Sequence, residues 1–356
     1  MGSILLTPLD LAGSAQEVEV WSQALFLESI SRTFLSKFLG EGPSALFQMM
    51  TEVSDGPGDT INVDLLTQTA DLGVNGNAVL KGAETQLSYQ QMVLNVEQKR
   101  QAFDHYRMSQ QRTIHDLRKD SMVVLRDFFA SILDRYAAAF LIGNAGDDTA
   151  LDTDITAHGA NALAAPDAAH LIDSSATIFT PDLIDQAKWK AVTIPAANNG
   201  PVRPIMVDGQ EWYVMFLHPR QAEQLQTNAV FTAAQRDGQL RGSDNPIFTG
   251  ALGTWNGVIL HSWNYLPQET ILLVLNNFGV LCGAQALAVG FGQAISTLDS
   301  IAREVNRENG FPFWWAEEVE DYGNEVGISG ATLFGMRKSE FATFDFATVR
   351  VQTKDA

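Results

Sequence analysis

The residues most able to do chemistry are few and scattered. The chain has one cysteine, Cys282, set in the apolar run VLCGAQALAV, and six histidines. A thiol nucleophile works as the thiolate, which positive or polar surroundings favour. Val280, Leu281 and Ala284 beside Cys282 describe a buried, inert thiol instead. One cysteine allows no intramolecular disulfide, so the fold does not depend on an oxidising compartment. His105, His115, His158, His170, His218 and His261 fall at no HxxxH or HxH spacing, and no CxxC is present, so the sequence offers no zinc constellation.

Two acidic runs and one basic run remain. DDTALDTD, Asp147 to Asp154, invites a calcium reading. As an EF-hand loop starting at Asp152 it would place Ala157 where glycine is required and Leu163 where a bidentate glutamate belongs, so a solvated acidic loop is expected. Glu317, Glu318, Glu320 and Asp321 lie beside Trp314 and Trp315. Paired carboxylates do acid–base work, but so dense a cluster marks an exposed or inter-chain face. Lys99, Arg100, Arg107, Arg112, Arg118 and Lys119 are interleaved with Glu97, Asp104, Asp116 and Asp120, which favours salt bridges on a helix surface or between subunits over phosphate binding. A net charge of −19 points the same way, since surfaces that grip nucleic acid are basic. No Walker loop, GxGxxG or GxSxG is present. The residues therefore indicate no catalytic, metal or cofactor site.

The elements that would position these residues are more telling. From Met108 to Gly143, Leu117, Val124, Leu125, Phe128, Phe129, Ile132, Leu133, Tyr136 and Phe140 recur at helical spacing, with no proline or glycine before Gly143. One unbroken helix of roughly 34 residues, about 50 Å long, is expected. No comparable helix is available to cover its apolar face, so that face should lie on strands. Ser14 and Glu17 make a capping-box spacing ahead of Phe26, Ile30, Phe34 and Phe38, which repeat at i+4 as one apolar stripe. This second amphipathic helix has no sequence neighbour to bury its stripe. DTINVDLL and LSYQQMVLNVEQ alternate as strands, joined by a long segment holding Gly73, Gly76 and Gly82. A connection of that length is unusual unless it has a task, and a lone hairpin needs a surface to lie on. Residues 144–178 are rich in Ala, Asp and Thr and are expected to form an irregular excursion. Beyond Thr180, helices and strands mix without βαβ alternation, with TILLVLN expected as one strand. The fold class is α+β. The opening MGSILLTPLDLAGSAQ lacks a basic n-region, and no apolar stretch is long enough to span a membrane.

The order of these parts resembles the major capsid proteins of tailed bacteriophages with the HK97-type fold, and more closely the N4-type major capsid family. The stretches that carry the resemblance are WSQALFLESISRTFLSKFLGEG, GPGDTINVDLL, LGVNGNAVLKGAETQLSY, QQRTIHDLRKDS running into LRDFFASILDRYAAAFLIG, FLHPRQAEQL, DNPIFTGALGTWNGVILHSW, GAQALAVGFG, and WWAEEVEDYGNEVGISGATLFGMRKSEFATFDFATVRV. They cover nearly the whole chain, except for 144–178.

The resemblance implies an N-terminal arm and helix at 1–57, an extended E-loop hairpin at 58–100, a P-domain with its spine helix at 101–178, an A-domain at 179–310 and a returning P-domain segment at 311–356. It implies a shell subunit that assembles with copies of itself as hexamers and pentamers of an icosahedral head around double-stranded DNA. The DNA would be met non-specifically on the inner face. A portal, and scaffolding or decoration proteins, would be further partners, and assembly in the bacterial cytoplasm would precede residence in the virion. Trp21, Phe26, Ile30, Phe34, Gly73, Gly76, Lys81, Gly82, Arg107, Arg112, Arg118, Glu317 and Glu318 become candidates for contacts between subunits. Lys81, on the hairpin tip, stands where a cross-linking lysine would, but an ordinary solvated lysine is the expected reading there. An encapsulin-like cellular shell of the same fold is the alternative, and an enzyme built on the acids at 317–321 is the second.

Overall fold

The computed structural model describes residues 34–50, 59–66, 73–76, 80–81, 84, 89–112, 116–159, 161, 163–195, 198–207, 209–237, 252–292, 304–306 and 313–355. The capping box at Ser14, the stripe positions Phe26 and Ile30, and Trp21 lie outside these residues, as does Gly82. In chain order, a turn of 3-10 helix at Leu35–Lys37 leads to β1 (Leu39–Gly40), β2 (Phe47–Met50), β3 (Thr60–Leu66), β4 (Tyr89–Asn95) and β5 (Glu97–Tyr106). Helices α1 (Arg107–Arg112), α2 (Leu117–Ile142) and α3 (Thr149–Ala157) follow, then β6 (Leu171–Ser174) and α4 (Pro181–Thr193). Next come β7 (Ile205–Val207), β8 (Gln210–Leu217), α5 (Pro219–Thr227), α6 (Ala229–Asp237), β9 (Gly253–Trp255), β10 (Val258–Ser262), β11 (Gln268–Ile271) and β12 (Val274–Cys282). The chain ends with β13 (Leu287–Phe291), β14 (Glu304–Asn306), β15 (Phe313–Glu320), β16 (Glu325–Lys338), β17 (Glu340–Phe341), β18 (Phe344–Asp345) and β19 (Thr348–Lys354).

Two sheets carry the architecture, in keeping with an α+β fold. In the first, β16 is the organising strand. It pairs antiparallel with β15 and then β13 in succession along one edge, and with β5 along the other. β13 in turn pairs parallel with β2. The second sheet runs β6, β19, β12, β8, β10, β9. In its centre, Tyr213–Leu217 of β8 and Asn276–Cys282 of β12 are buried, as the apolar runs YVMFL and FGVLC require.

The long helix bridges the sheets, packing on β16, β5 and β13 of the first and β12 of the second. Its broad apolar face therefore does lie on strands. It is shorter than the sequence pattern suggests. Asp116 takes an extended conformation and its carboxylate accepts from the Lys119 N–H, capping a new helix. The helix thus begins at Leu117, spans 26 residues and is about 39 Å long. The preceding basic stretch divides between strand and helix. Lys99 and Arg100 belong to β5, paired with Thr332 and Ala331 of β16, while Arg107 and Arg112 lie on the short α1. Val124, expected on the buried face, is exposed together with Val123. Gly143 ends the helix in the left-handed conformation at φ 76°, and a Cβ there would meet the Ala164 carbonyl oxygen. The helix has no basic residue in its last turn. Arg350 of β19 supplies one, donating from Nη1 to the Ile142 carbonyl at 3.2 Å.

Two further expectations are corrected. Residues 144–178 are not an irregular excursion, since they hold α3 and β6, and β6 joins the second sheet parallel to β19. Single-residue propensities there are weak, and the strand exists only because β19 offers an edge. TILLVLN is not one strand. It turns at Leu272–Leu273 between β11 and β12.

Candidate assembly surfaces

Among the described residues, the hairpin β3–β4 is anchored at one end only. Thr60 pairs with Asn95 at its base and Leu66 with Tyr89 at its far end, a span of about 20 Å at 3.4 Å per residue. At the base, Ile61, Met92 and Leu94, with Val96, are buried in a small apolar cluster with Met50, Ala288 and Phe341. The alternation in sequence is thus a real inward face. The two layers meet closely because glycine leaves room. A Cβ at Gly335 would come within 2.0 Å of the Asn95 carbonyl oxygen, and one at Gly290 within 2.7 Å of Ile61 Cδ1. Asn161 fastens the junction from the side, accepting from the Asn95 N–H at 3.0 Å and donating to the Asn95 carbonyl at 2.7 Å. At the far end Leu66 and Tyr89, a cross-strand apolar pair, are exposed. Gly73 and Gly76 beyond them adopt positive φ with open space around the Cβ position, and Lys81 is exposed.

The chain entering from the N-terminal segment is tied to the long helix. The Phe34 and Leu35 N–H groups donate to the two oxygens of the buried Asp134 carboxylate at 2.9 and 3.0 Å. Burial pushes Asp134 above the ordinary carboxyl range, and the two backbone bonds pull it back only in part. Phe34 sits 5.2 Å from Trp263 and 5.9 Å from Phe216, ring centre to ring centre. The last turn of the orphan stripe is therefore covered by the subunit's own second sheet, and Phe34 is spent inside the subunit.

A second outward feature is the end of β15 and β16. Arg118 Nε donates to Glu317 Oε1 at 2.5 Å, so two of the sequence candidates meet within one chain. Glu318, Val319 and Glu320 are exposed, and Tyr322, at positive φ, is fully so. The Arg107 N–H donates to the Asn324 carbonyl at 2.8 Å, which sets the exposed Arg107 and the start of α1 beside this acidic turn. The arrangement offers opposite charges around exposed aromatic and aliphatic groups, which suits a contact between proteins.

The acidic run at 147–154 is not a solvated loop. Asp148 caps α3, accepting from the Leu151 N–H, and is ion-paired with Arg135. Asp147 binds the Thr270 backbone and hydroxyl. Asp154 is ion-paired with Lys99 and accepts from the Tyr136 hydroxyl at 2.6 Å, linking α3, β5 and α2. Lys99 and the Tyr136 hydroxyl hold the Asp154 carboxyl below its ordinary range against the opposing effect of burial. Arg135 and the Asp147–Asp148 pair flank an open hollow of about 340 Å³ that Tyr265 also lines.

Sequence spacing gave no sign of one buried polar cluster. Asp167, His170 and Asp345 bring ligand-type atoms within 4.8 Å of one another. His170 Nδ1 lies 2.6 Å from Asp167 Oδ2, and Lys338 Nζ lies 2.6 Å from Asp345 Oδ1. The Lys338 ammonium already supplies the cation this carboxylate faces, and it also donates to the Ala164 carbonyl. The cluster ties the segment before β6 to the β17–β18 turn and is a poor metal centre on charge grounds. Its members are 178 positions apart at the extreme, so only folding brings them together. Cys282 is fully buried, and burial raises its thiol pKa, consistent with an inert side chain.

A strand-packed long helix joining two sheets, a hairpin fixed only at its base, and a tethered N-terminal entry define the HK97-like capsid fold. The chain belongs to the phage capsid protein family, whose model matches residues 11–356. It is 27% identical over 364 residues to the major capsid protein of Pseudomonas phage KPP25, with 94% of each chain covered. Among solved structures it is similar to the capsid of Ralstonia phage GP4, at 26% identity and a TM-score of 0.73 with 90% of each chain covered. It also shares its fold with the cyanophage Pam1 capsid, at 17% identity and a TM-score of 0.70, covering 92% of this chain and 93% of that one.

Proposed function

We propose that this capsid subunit builds an icosahedral head from hexamers and pentamers of itself around double-stranded DNA, with the N4-type capsids as its finer affiliation. The observation that carries this is the hairpin β3–β4, which buries its base in its own subunit and exposes Leu66 and Tyr89 at its far end, with Lys81 exposed as well. In this reading residues 58–100 act as the E-loop, 101–178 and 311–356 as the P-domain, 179–310 as the A-domain and 1–57 as the arm. Contacts through the hairpin and the arm are heterologous, and such contacts close into rings when the rotation allows. Arg107, Arg112, Glu318, Trp21, Phe26 and Ile30 are assigned to neighbouring copies. The role is structural. Glu317 is occupied by Arg118, which favours an assembly surface over acid–base work at 317–321. The charge of −19 would keep an acidic inner face from gripping packaged DNA. Portal, scaffolding or decoration proteins would meet the assembled shell, which forms in the bacterial cytoplasm and ends in the virion.

The test is deletion of residues 73–82. The variant should fold, with an unchanged circular dichroism spectrum, and should sediment as free subunits or capsomers under conditions where the full chain forms megadalton shells. Normal shells from the deletion would remove the hairpin tip from the account. Glu317→Gln with Glu318→Gln separates the enzymatic reading, since it should change assembly and nothing catalytic. A shell isolated with protein cargo in place of DNA would favour the encapsulin-like alternative.

A further inference from the structure

The turn between β11 and β12 does not suit its own sequence. Ile271 pairs with Val274, so Leu272 and Leu273 form a two-residue hairpin turn. Both have positive φ, 50° and 66°, the mark of a type I′ turn, which strongly prefers Asn-Gly. The chain follows that preference elsewhere. Trp255 pairs with Val258 across Asn256 and Gly257, at φ 46° and 77°. Leucine in the left-handed region brings its Cβ against the following carbonyl. Ala342–Thr343 shares this backbone with smaller side chains, so strain alone does not single out 272–273. What does is exposure: Leu272 is 92% and Leu273 98% exposed, with Leu275 and Tyr265 partly exposed nearby. Two large aliphatic side chains stand at a strained, solvated tip and make no compensating contact among the described residues. A local choice that breaks its own turn rule is usually repaid elsewhere.

We propose that the Leu272–Leu273 tip is a docking knob that packs against a neighbouring copy of this chain in the shell. A second copy is the occupant because the family is one of capsid proteins and because subunits carrying −19 charges repel at long range. Short-range apolar contacts must then help hold them, and a paired-leucine tip at the end of a hairpin offers one. The inference rests on the shell-building role and adds to it a contact on the second sheet, apart from the hairpin β3–β4, the arm and the 317–322 turn.

The test uses the turn's own logic. The double substitution Leu272→Asn with Leu273→Gly gives the turn its preferred residues and removes the knob. The free subunit should melt at or above the wild-type temperature, so failure to fold does not obscure the result. Shell assembly, followed by light scattering, should need at least about ten-fold more protein, which corresponds to about 1.4 kcal/mol per subunit. Leu272→Met with Leu273→Met keeps apolar bulk and should assemble near normally. If the wild type forms shells and the Asn-Gly variant forms them at the same concentration, the knob is refuted while the shell-building role stands. A wild type that never assembles refutes that role first. Unchanged assembly with a loss only in binding to another virion protein, or to phosphatidylglycerol vesicles, would also overturn the proposal.

Discussion

Asp134 is the point at which the N-terminal entry is held to the long helix, and its replacement tests that linkage. Each carboxylate oxygen accepts one backbone N–H, from Phe34 and Leu35, at a site 5% exposed. Asp134→Asn keeps one acceptor and turns an amide N–H₂ toward the other donor. One buried N–H is then unsatisfied, at a cost of about 1–3 kcal/mol. The change also removes a buried charge, so the lower half of that range is expected. Asp134→Ala orphans both donors and should cost more, about 2–4 kcal/mol. The ionisation itself has a sign. Burial raises the folded-state pKa above the unfolded value. The folded chain therefore holds the proton to higher pH, and this group alone makes the subunit lose stability as pH rises from the ordinary carboxyl range through its raised pKa. Asp134→Asn should remove that slope. Urea unfolding of unassembled subunits, repeated between pH 4 and 7, gives both quantities, and hydrogen exchange at residues 34–50 should show faster opening in both variants. An Asp134→Ala subunit as stable as wild type, or more stable than Asp134→Asn, would refute the assignment.

Three further outcomes follow. Gly335→Ala places a Cβ within 2.0 Å of the Asn95 carbonyl oxygen, which should lift the hairpin from the sheet and cost roughly 3 kcal/mol in urea unfolding. His218 caps α5 as a hydrogen-bond acceptor, its Nδ1 receiving the Arg220 N–H, and burial lowers its pKa to about 4 against a nearby Asp355 that pulls it up. The unfolded chain takes up that proton first, so stability should be full above the ordinary histidine pKa and fall as pH drops toward 4; His218→Asn, which still caps, should flatten thermal melting over that window. Arg350, held down to about 10 by burial, stacks 4.0 Å over the Phe278 ring and donates to Ile142; Arg350→Met should lower the thermal midpoint by several degrees through the unpaired helix end.

Much of the architecture could be read from residue patterns, and the failures have identifiable causes. Ile61, Met92 and Leu94 announced their inward face because a strand's period of two leaves no alternative register. Gly143 announced the helix end because the left-handed cap favours glycine. The helix start was hidden because Asp116 interrupts no apolar pattern; only its cap bond to Lys119 shows where the backbone changes. Lys99 looked like part of a basic helix surface, but pairing of β5 with β16 took precedence over local propensity. The acids at 147–154 looked solvated because their partners, Lys99, the adjacent Arg135 and Tyr136, and Thr270, come from three separate stretches. The Asp167–His170–Asp345–Lys338 cluster is invisible for the same reason. At Leu272–Leu273 the apolar run read as strand, and only the register shows that the chain reverses there.

The central claim is that this subunit builds closed shells with copies of itself. Negative-stain electron microscopy of the purified full chain under assembly conditions tests it most directly. Closed particles of uniform diameter with visible five- and six-fold units are expected. A monodisperse monomer at every concentration, salt and pH tried would contradict it.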